Sequence, residues 1–155
     1  VDIDDLLEAE AARLSGNGTV SVATEIRACR VTGDRAALTR VIRNLVDNAA
    51  RYARSTVTLS CRPVPDGVVI TIADDGPGIP ARDRSRIFER FVRLDAARAR
   101  ASGGTGLGLA IVAEVVRAHR GTVAVGDAAA GGAVFTVALP RQGCPDQESL
   151  SERSR

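Results

Sequence analysis

The residues best placed to do chemistry lie in Ser102-Gly103-Gly104-Thr105-Gly106-Leu107-Gly108-Leu109-Ala110-Ile111-Val112, where a glycine-rich loop runs straight into an apolar, helix-compatible segment. Four glycines within six residues free the backbone for conformations closed to residues with a Cβ, so that several N–H groups can point at one anion. A helix starting there adds its own unpaired N–H groups and the positive end of its dipole. The chemistry this suits is phosphate binding under a lid. A flexible linker is the plain alternative, but a linker has no reason to feed Leu107, Ile111, Val112, Val115 and Val116 at helical spacing.

Two other groups of polar residues invite the same question. Asn44, Asn48, Arg51 and Tyr52 are spaced to share one face of a helix. Asparagine is a poor mid-helix residue, because its amide competes for backbone hydrogen bonds. Two on one face are either satisfied surface residues or donors of amide oxygen to a hard cation such as Mg²⁺, which they bind without overcharging a site rich in phosphate. In Asp74-Asp75-Gly76-Pro77-Gly78-Ile79-Pro80, an acidic residue at the mouth of a buried strand is costly unless it has a partner. A carboxylate there can accept the exocyclic amine of adenine and would repel the carbonyl of guanine. Equally, Asp, Gly and Pro are the usual residues of a hairpin-exit turn.

The elements that must position these groups follow from periodicity. Ile3, Leu6, Leu7, Ala11 and Leu14 predict an amphipathic helix over Asp4 to Leu14, stopped by Ser15-Gly16-Asn17-Gly18. Val20, Val22 and Ile26 alternate as in a strand with one wet face. Asp34 is placed to cap a helix over Arg35 to Ala53, whose buried stripe is Leu38, Val41, Ile42, Leu45 and Ala49. Val57, Leu59 and Cys61 alternate with Thr56, Thr58 and Ser60 as a strand; Pro63-Val64-Pro65-Asp66-Gly67 is expected to turn the chain into a more apolar strand over Val68 to Ala73. Phe88 and Phe91 are expected to anchor a flexible lid over Ala96 to Ser102. A helix ending near Ala118 then leads to a hairpin of Thr122 to Val125 and Ala133 to Leu139 across Gly126 to Gly132. Helices alternating with strands and ending in a hairpin give an α/β sandwich: one mixed sheet with helices covering one face.

Composition narrows the function. A chain of 155 residues with 45% hydrophobic content fits one domain, and with 3% aromatics its core must be built from Val, Leu, Ile and Ala. All 21 basic residues are arginine, so a Walker-type P-loop and a Ser/Thr/Tyr protein kinase, which need a lysine on the phosphates, are excluded. A net charge of +2 is weak support for nucleic-acid binding. Cys29, Cys61 and Cys144 lack any CxxC spacing and read as free thiols in a reducing cytoplasm. No apolar run approaches the length of a membrane span and no signal peptide is recognised at the start; the opening at Val1 leads to the expectation of a piece cut from something longer. Arg141 to Arg155 are polar and patternless, and are expected to form a disordered tail after a domain spanning residues 1–140.

Asn44-Leu45-Val46-Asp47-Asn48-Ala49-Ala50-Arg51-Tyr52, Asp74-Asp75-Gly76-Pro77-Gly78-Ile79, Ile87-Phe88-Glu89-Arg90-Phe91 and Gly104-Thr105-Gly106-Leu107-Gly108-Leu109 occur in this order. Together they closely resemble the N, G1, F and G2 boxes of the catalytic, ATP-binding domain of bacterial sensor histidine kinases, in the wider family of gyrase, the Hsp90 chaperones and MutL. The resemblance runs from about Val1 to the Gly132-Ala133-Val134-Phe135-Thr136-Val137-Ala138-Leu139-Pro140 strand. It implies a Bergerat-type ATP-binding fold, with a mixed, mainly antiparallel sheet. It implies that Asn48 ligates Mg²⁺, that Asn44 assists near the phosphates, that Arg51 faces the phosphates and that the Tyr52 ring lines the nucleotide. Asp74 would take the adenine amine, with Gly76 and Gly78 shaping the pocket floor. Arg93 would reach the γ-phosphate from the lid, and Gly104, Thr105, Gly106, Leu107 and Gly108 would close over the triphosphate.

Gyrase-like and Hsp90-like ATPases carry a glutamate base where this chain has Asn44, so hydrolysis should be slow and the γ-phosphoryl group kept for another acceptor. The resemblance therefore implies a protein-histidine kinase domain that uses ATP and Mg²⁺. Its partners would be a histidine-bearing dimerisation domain of the same parent and a response regulator, with no nucleic acid and no direct membrane contact. The location implied is cytoplasmic, in a parent anchored in the inner membrane. The rivals are an anti-sigma-factor serine kinase, a stand-alone ATPase and a degenerate docking module. His119 resembles the family's usual His at the turn after the lid helix, and lacks the acidic neighbour at helical spacing that a phosphoacceptor would want; the family more often has Gly where Arg120 stands.

Overall fold

The computed structural model of the chain describes residues 1–89, 108–129 and 131–141. Helix α1 spans Ile3–Asn17 and ends at Gly18, whose φ of 69° lets its N–H turn back to the Ser15 carbonyl. Strand β1 (Ser21–Ile26) follows, then α2 (Arg35–Tyr52), where the Asp34 side chain accepts from the Ala37 N–H at 3.1 Å as foreseen. Strands β2 (Thr56–Val64) and β3 (Gly67–Asp74) form a hairpin, and a short 3₁₀ turn at Ala81–Asp83 leads away from it. Helix α3 (Gly108–Ala118) and strands β4 (Thr122–Asp127) and β5 (Ala133–Pro140) complete the described elements.

The sheet runs β1-β2-β3-β5-β4. β1 is parallel to β2, with α2 as the crossover, and every other pair is antiparallel. The period of two decides which face is buried: Val57, Leu59 and Cys61 on β2, Ile70 and Ile72 on β3, and Phe135 and Val137 on β5 all point under the helices. Their alternates, Thr58, Ser60, Thr71 and Thr136, form the half-buried open face, where the Ser60 and Thr71 hydroxyls meet across the strand pair. The result is the expected two-layer α/β sandwich, mixed and mainly antiparallel, with helices on one face.

Two turns are tighter than the sequence foretells. Pro63 does not belong to the first hairpin turn; it lies inside β2 opposite Val68, and only Pro65-Asp66 separates the strands. Cys61 gives its carbonyl to the Arg27 N–H at 3.1 Å on the β1 side, so by alternation residue 63 also faces that side, where β1 has already ended. The missing proline N–H therefore forfeits no ladder bond. Likewise β4 continues through Gly126 to Asp127, leaving a shorter connection to β5.

Helices α2 and α3 run antiparallel and are tied at both ends. At one end Asn44 Nδ2 donates to the Gly108 carbonyl at 3.2 Å. At the other, the Asp34 N–H donates to His119 Nε2 at 3.1 Å, while His119 Nδ1 lies 2.8 Å from the Val115 carbonyl. A backbone N–H can only donate, so Nε2 accepts and the ring proton sits on Nδ1. His119 is thus a bolt between helices, with both ring nitrogens engaged. Gly33 leaves room for it, since a Cβ there would stand 2.6 Å from the ring. Arg120, at φ 61°, ends α3 in the left-handed conformation that suits the glycine of the family pattern. Gly121 N–H to the Val116 carbonyl and Arg120 N–H to the Arg117 carbonyl, both 2.9 Å, complete a Schellman motif.

Candidate functional site

Asp74 is the last residue of β3 and is only 5% exposed, as its place on the core face of the strand dictates. A charge so placed is tolerated only with donors aimed at it. Its Oδ1 accepts from the Gly76 N–H at 2.8 Å, and the Ala133 N–H, at the start of β5, reaches the same oxygen at 3.4 Å. Gly76 is required for space, because a Cβ would press on the Tyr52 carbonyl at the end of α2. Gly78 is required for conformation, with φ at 78°. The strand exit and the last turn of α2 are therefore in van der Waals contact through backbone, which brings Asp74 and the Tyr52 end of the polar stripe to one place.

On α2, Asn44, Asn48 and Tyr52 are half-buried and Arg51 is exposed, while Leu45, Val46 and Ala49 between them are buried. The polar stripe therefore borders the core without entering it. Asn44 faces the first turn of α3, where Gly108 is the first described residue after the loop. Arg93, Gly104, Thr105, Gly106 and Leu107 lie outside the described residues, as do Phe91, Cys144 and the lid and tail expected from the sequence. Phe88 does anchor its segment: its ring meets Phe135 edge-on, with centroids 6.1 Å apart.

Several residues of this end escaped the sequence reading. Asp75, next to the buried carboxylate, does a different job. Its Oδ1 accepts from the N–H groups of Arg54 (2.8 Å), Ser55 (3.0 Å) and Thr56 (3.1 Å), and its Oδ2 accepts from the Ser55 hydroxyl at 2.6 Å. Hydrogen bonding from the Ser55 side chain and then from these backbone groups holds the Asp75 carboxyl well below the usual carboxylate range. It clamps the α2–β2 connection to the exit of β3. Arg84 bonds the Ile79 carbonyl (3.2 Å) and pairs with Asp127 (2.6 Å), tying the loop after Asp74 to the end of β4. Buried Glu10 on α1 pairs with Arg43 (2.9 Å) and Arg13 (2.6 Å), and Arg13 reaches Asp47 (2.6 Å), bracing the back of the stripe. A doubled Asp at a strand exit was a visible signal; the partners of the rest lie far off in sequence.

The two thiols among the described residues take no part. Cys29 and Cys61 are buried beside one another, and burial pushes the Cys61 thiol up to about 12, leaving it protonated and inert. Among the described residues no helix is long and apolar enough to cross a membrane.

Residues 33–143 match the family model of the histidine kinase-, DNA gyrase B-, and HSP90-like ATPases. The chain belongs to this family. Within the family its relatives are sensor kinases: it is 39% identical to the sensor-like histidine kinase SenX3 of Mycolicibacterium smegmatis over 98% of its own length and 41% of that protein's. It thus spans about two fifths of that relative. Among solved structures, the mycobacterial sensor histidine kinase MprB superposes with a TM-score of 0.80 at 31% identity, covering 92% of this chain and 96% of the other. The ATP binding domain of PrrB from Mycobacterium tuberculosis gives 0.76 at 31%, covering 91% and 95%. The chain is accordingly an ATP-binding catalytic domain of the sensor histidine kinase type.

Proposed function

We propose that this domain binds Mg·ATP between the polar stripe of α2 and the exit of β3. It then donates the γ-phosphoryl group to a histidine on a separate dimerisation domain of the same parent protein, from which the group passes to an aspartate of a response regulator. The observation that carries this reading is the buried Asp74 carboxylate, pinned through Oδ1 by N–H groups from two chain segments. A buried acceptor with fixed orientation, set beside the Tyr52 end of α2, suits the exocyclic amine of adenine and rejects guanine.

The other roles follow along the helix. An amide oxygen on a half-buried stripe is the hard, neutral donor that Mg²⁺ accepts beside phosphate, and Asn48 is the residue that would hold it. The cation, when bound, neutralises phosphate charge during transfer. Asn44 and Arg51 would position and neutralise the triphosphate, with Arg93 and the Gly104–Gly108 loop completing its enclosure by resemblance. Transfer of this kind needs positioning and charge more than covalent chemistry. A carboxylate base for water is lacking where the gyrase-like enzymes have one: Asn44 stands there, its amide already donating to Gly108, which favours transfer over hydrolysis.

Calorimetric titration with ATP, ADP and GTP, with and without Mg²⁺, tests the reading. Adenine-selective, Mg²⁺-sensitive binding is expected, with labelled phosphate appearing on the parent's dimerisation domain when it is added. A folded protein that binds no adenine nucleotide would sink the proposal, and sustained phosphate release without any second domain would replace it with an ATPase.

A further inference from the structure

The β4–β5 end offers something that no motif marks. The register of β3 against β5 pairs Ala73 with Val134, so Asp74 stands opposite Ala133, and Gly132 lies just beyond it. A Cβ on Gly132 would meet the Asp74 backbone carbonyl and come within 2.5 Å of Oδ1 and 2.6 Å of the Asp74 carbonyl carbon. Backbone atoms in a strand pair cannot yield, so any side chain at 132 must turn the carboxylate or part the strands. The demand is for space alone: Gly132 has no positive φ, whereas its neighbour Gly131 does, at 97°, with nothing within 4 Å of its own Cβ position. The turn that presents Gly132 is closed on itself, with Ala128 N–H to the Gly132 carbonyl at 2.8 Å and Gly131 N–H to the Ala128 carbonyl at 3.0 Å. The Arg84–Asp127 pair holds that turn against the loop leaving Asp74.

From this geometry we infer that Gly132 and the Ala133 N–H are the positioning elements for base selectivity: they seat Asp74 Oδ1 from the β5 side, which sets the carboxylate plane and hence the direction from which a 6-amino group is read. The inference rests on the proposed adenine site. Orientation matters at this level because a displacement of about 1 Å in a positioning contact can cost on the order of 100-fold.

The test compares ATP with purine riboside triphosphate, which lacks the 6-amino group, in wild type, Gly132→Ala and Gly131→Ala. Wild type should prefer ATP by roughly 10- to 100-fold, the range of a hydrogen bond to a charged group. Gly132→Ala should bring that ratio close to one while the analogue's own affinity changes by less than about 3-fold. Gly131→Ala strains the same turn without touching Asp74, and should lower the melting temperature yet keep the ratio. A Gly132→Ala protein that keeps the ratio, or loses both nucleotides equally, overturns the inference, and so does a Gly131→Ala protein whose ratio collapses as well. Should Gly132→Ala fail to fold, the Ala133 amide resonance of wild type decides: it should shift with ATP and hold still with the analogue, and equal shifts with both would refute the role. A wild type with no preference for ATP would instead defeat the adenine reading itself.

Discussion

The β3–β5 pair carries a glycine at each end. At one end Gly67 pairs with Pro140, and a Cβ would stand 2.9 Å from the Pro140 Cα and the Leu139 carbonyl carbon. At the other, Gly132 meets the backbone of Asp74 in the same way. The steric requirement is alike, and the surroundings are opposite. Around Gly67 lie Val64, Val68, Leu139 and Pro140, which with Arg120 and Gly121 line a shallow apolar depression. Around Gly132 lie a buried carboxylate, its backbone donors and the end of the α2 polar stripe. A glycine that admits no side chain marks close strand packing, and such packing occurs at either end of a sheet. What separates the two ends is a carboxylate buried at one of them, since a buried carboxylate has to be balanced by donors such as the Gly76 and Ala133 N–H groups.

Substitutions at the two ends should therefore separate affinity from stability. The largest effect is expected from Asp74→Asn, which keeps the shape and the acceptor facing Gly76 but removes the charge; ATP affinity should fall by about 2–3 kcal/mol, read by calorimetry. An unchanged Kd would erase the distinction between the ends. Gly67→Ala should cost about 1–3 kcal/mol of folding stability by chemical denaturation while the preference for ATP over its deaminated analogue is kept. Loss of that preference would mean that the far end reaches the site.

Asp75→Asn tests the clamp beside Asp74. Because the folded-state carboxyl of Asp75 is depressed, its stabilisation is complete above the ordinary carboxylate pKa of about 4 and is lost as the pH falls below it. The melting temperature of the variant should lie below that of wild type at neutral pH, and the gap should close on acidification; a gap that is constant with pH would refute the clamp. The smallest effect is at the apolar end. Arg120→Gly relieves a left-handed non-glycine residue and should stabilise the fold by about 1 kcal/mol, seen as a raised melting temperature with nucleotide binding unaltered.

Much of this protein is written locally. The stripe from Leu38 to Ala49, the Asp34 cap, the alternation of Val57, Leu59 and Cys61 and the ending of α3 after Ala118 depend on neighbours within a turn or two, so periodicity and capping reveal them. The same short range made Asn44, Asn48 and Asp74 visible as candidates, since an amide in mid-helix and a carboxylate closing an apolar strand are each odd in their own setting. The place of Pro63 inside β2 is not legible locally, because its fitness there depends on where β1 stops, which is a property of the sheet.

The sequence by itself thus determined the elements and offered the candidate residues; tertiary structure alone decided which of those it describes meet. Asp74 and Ala133 are 59 residues apart, Asp34 and His119 are 85, and Asp75 clamps a connection about twenty residues upstream. No local preference encodes such pairs. They follow from strand order and register, which set Gly132 over a carboxylate and Gly67 over an apolar edge although both are, in the sequence, simply glycine.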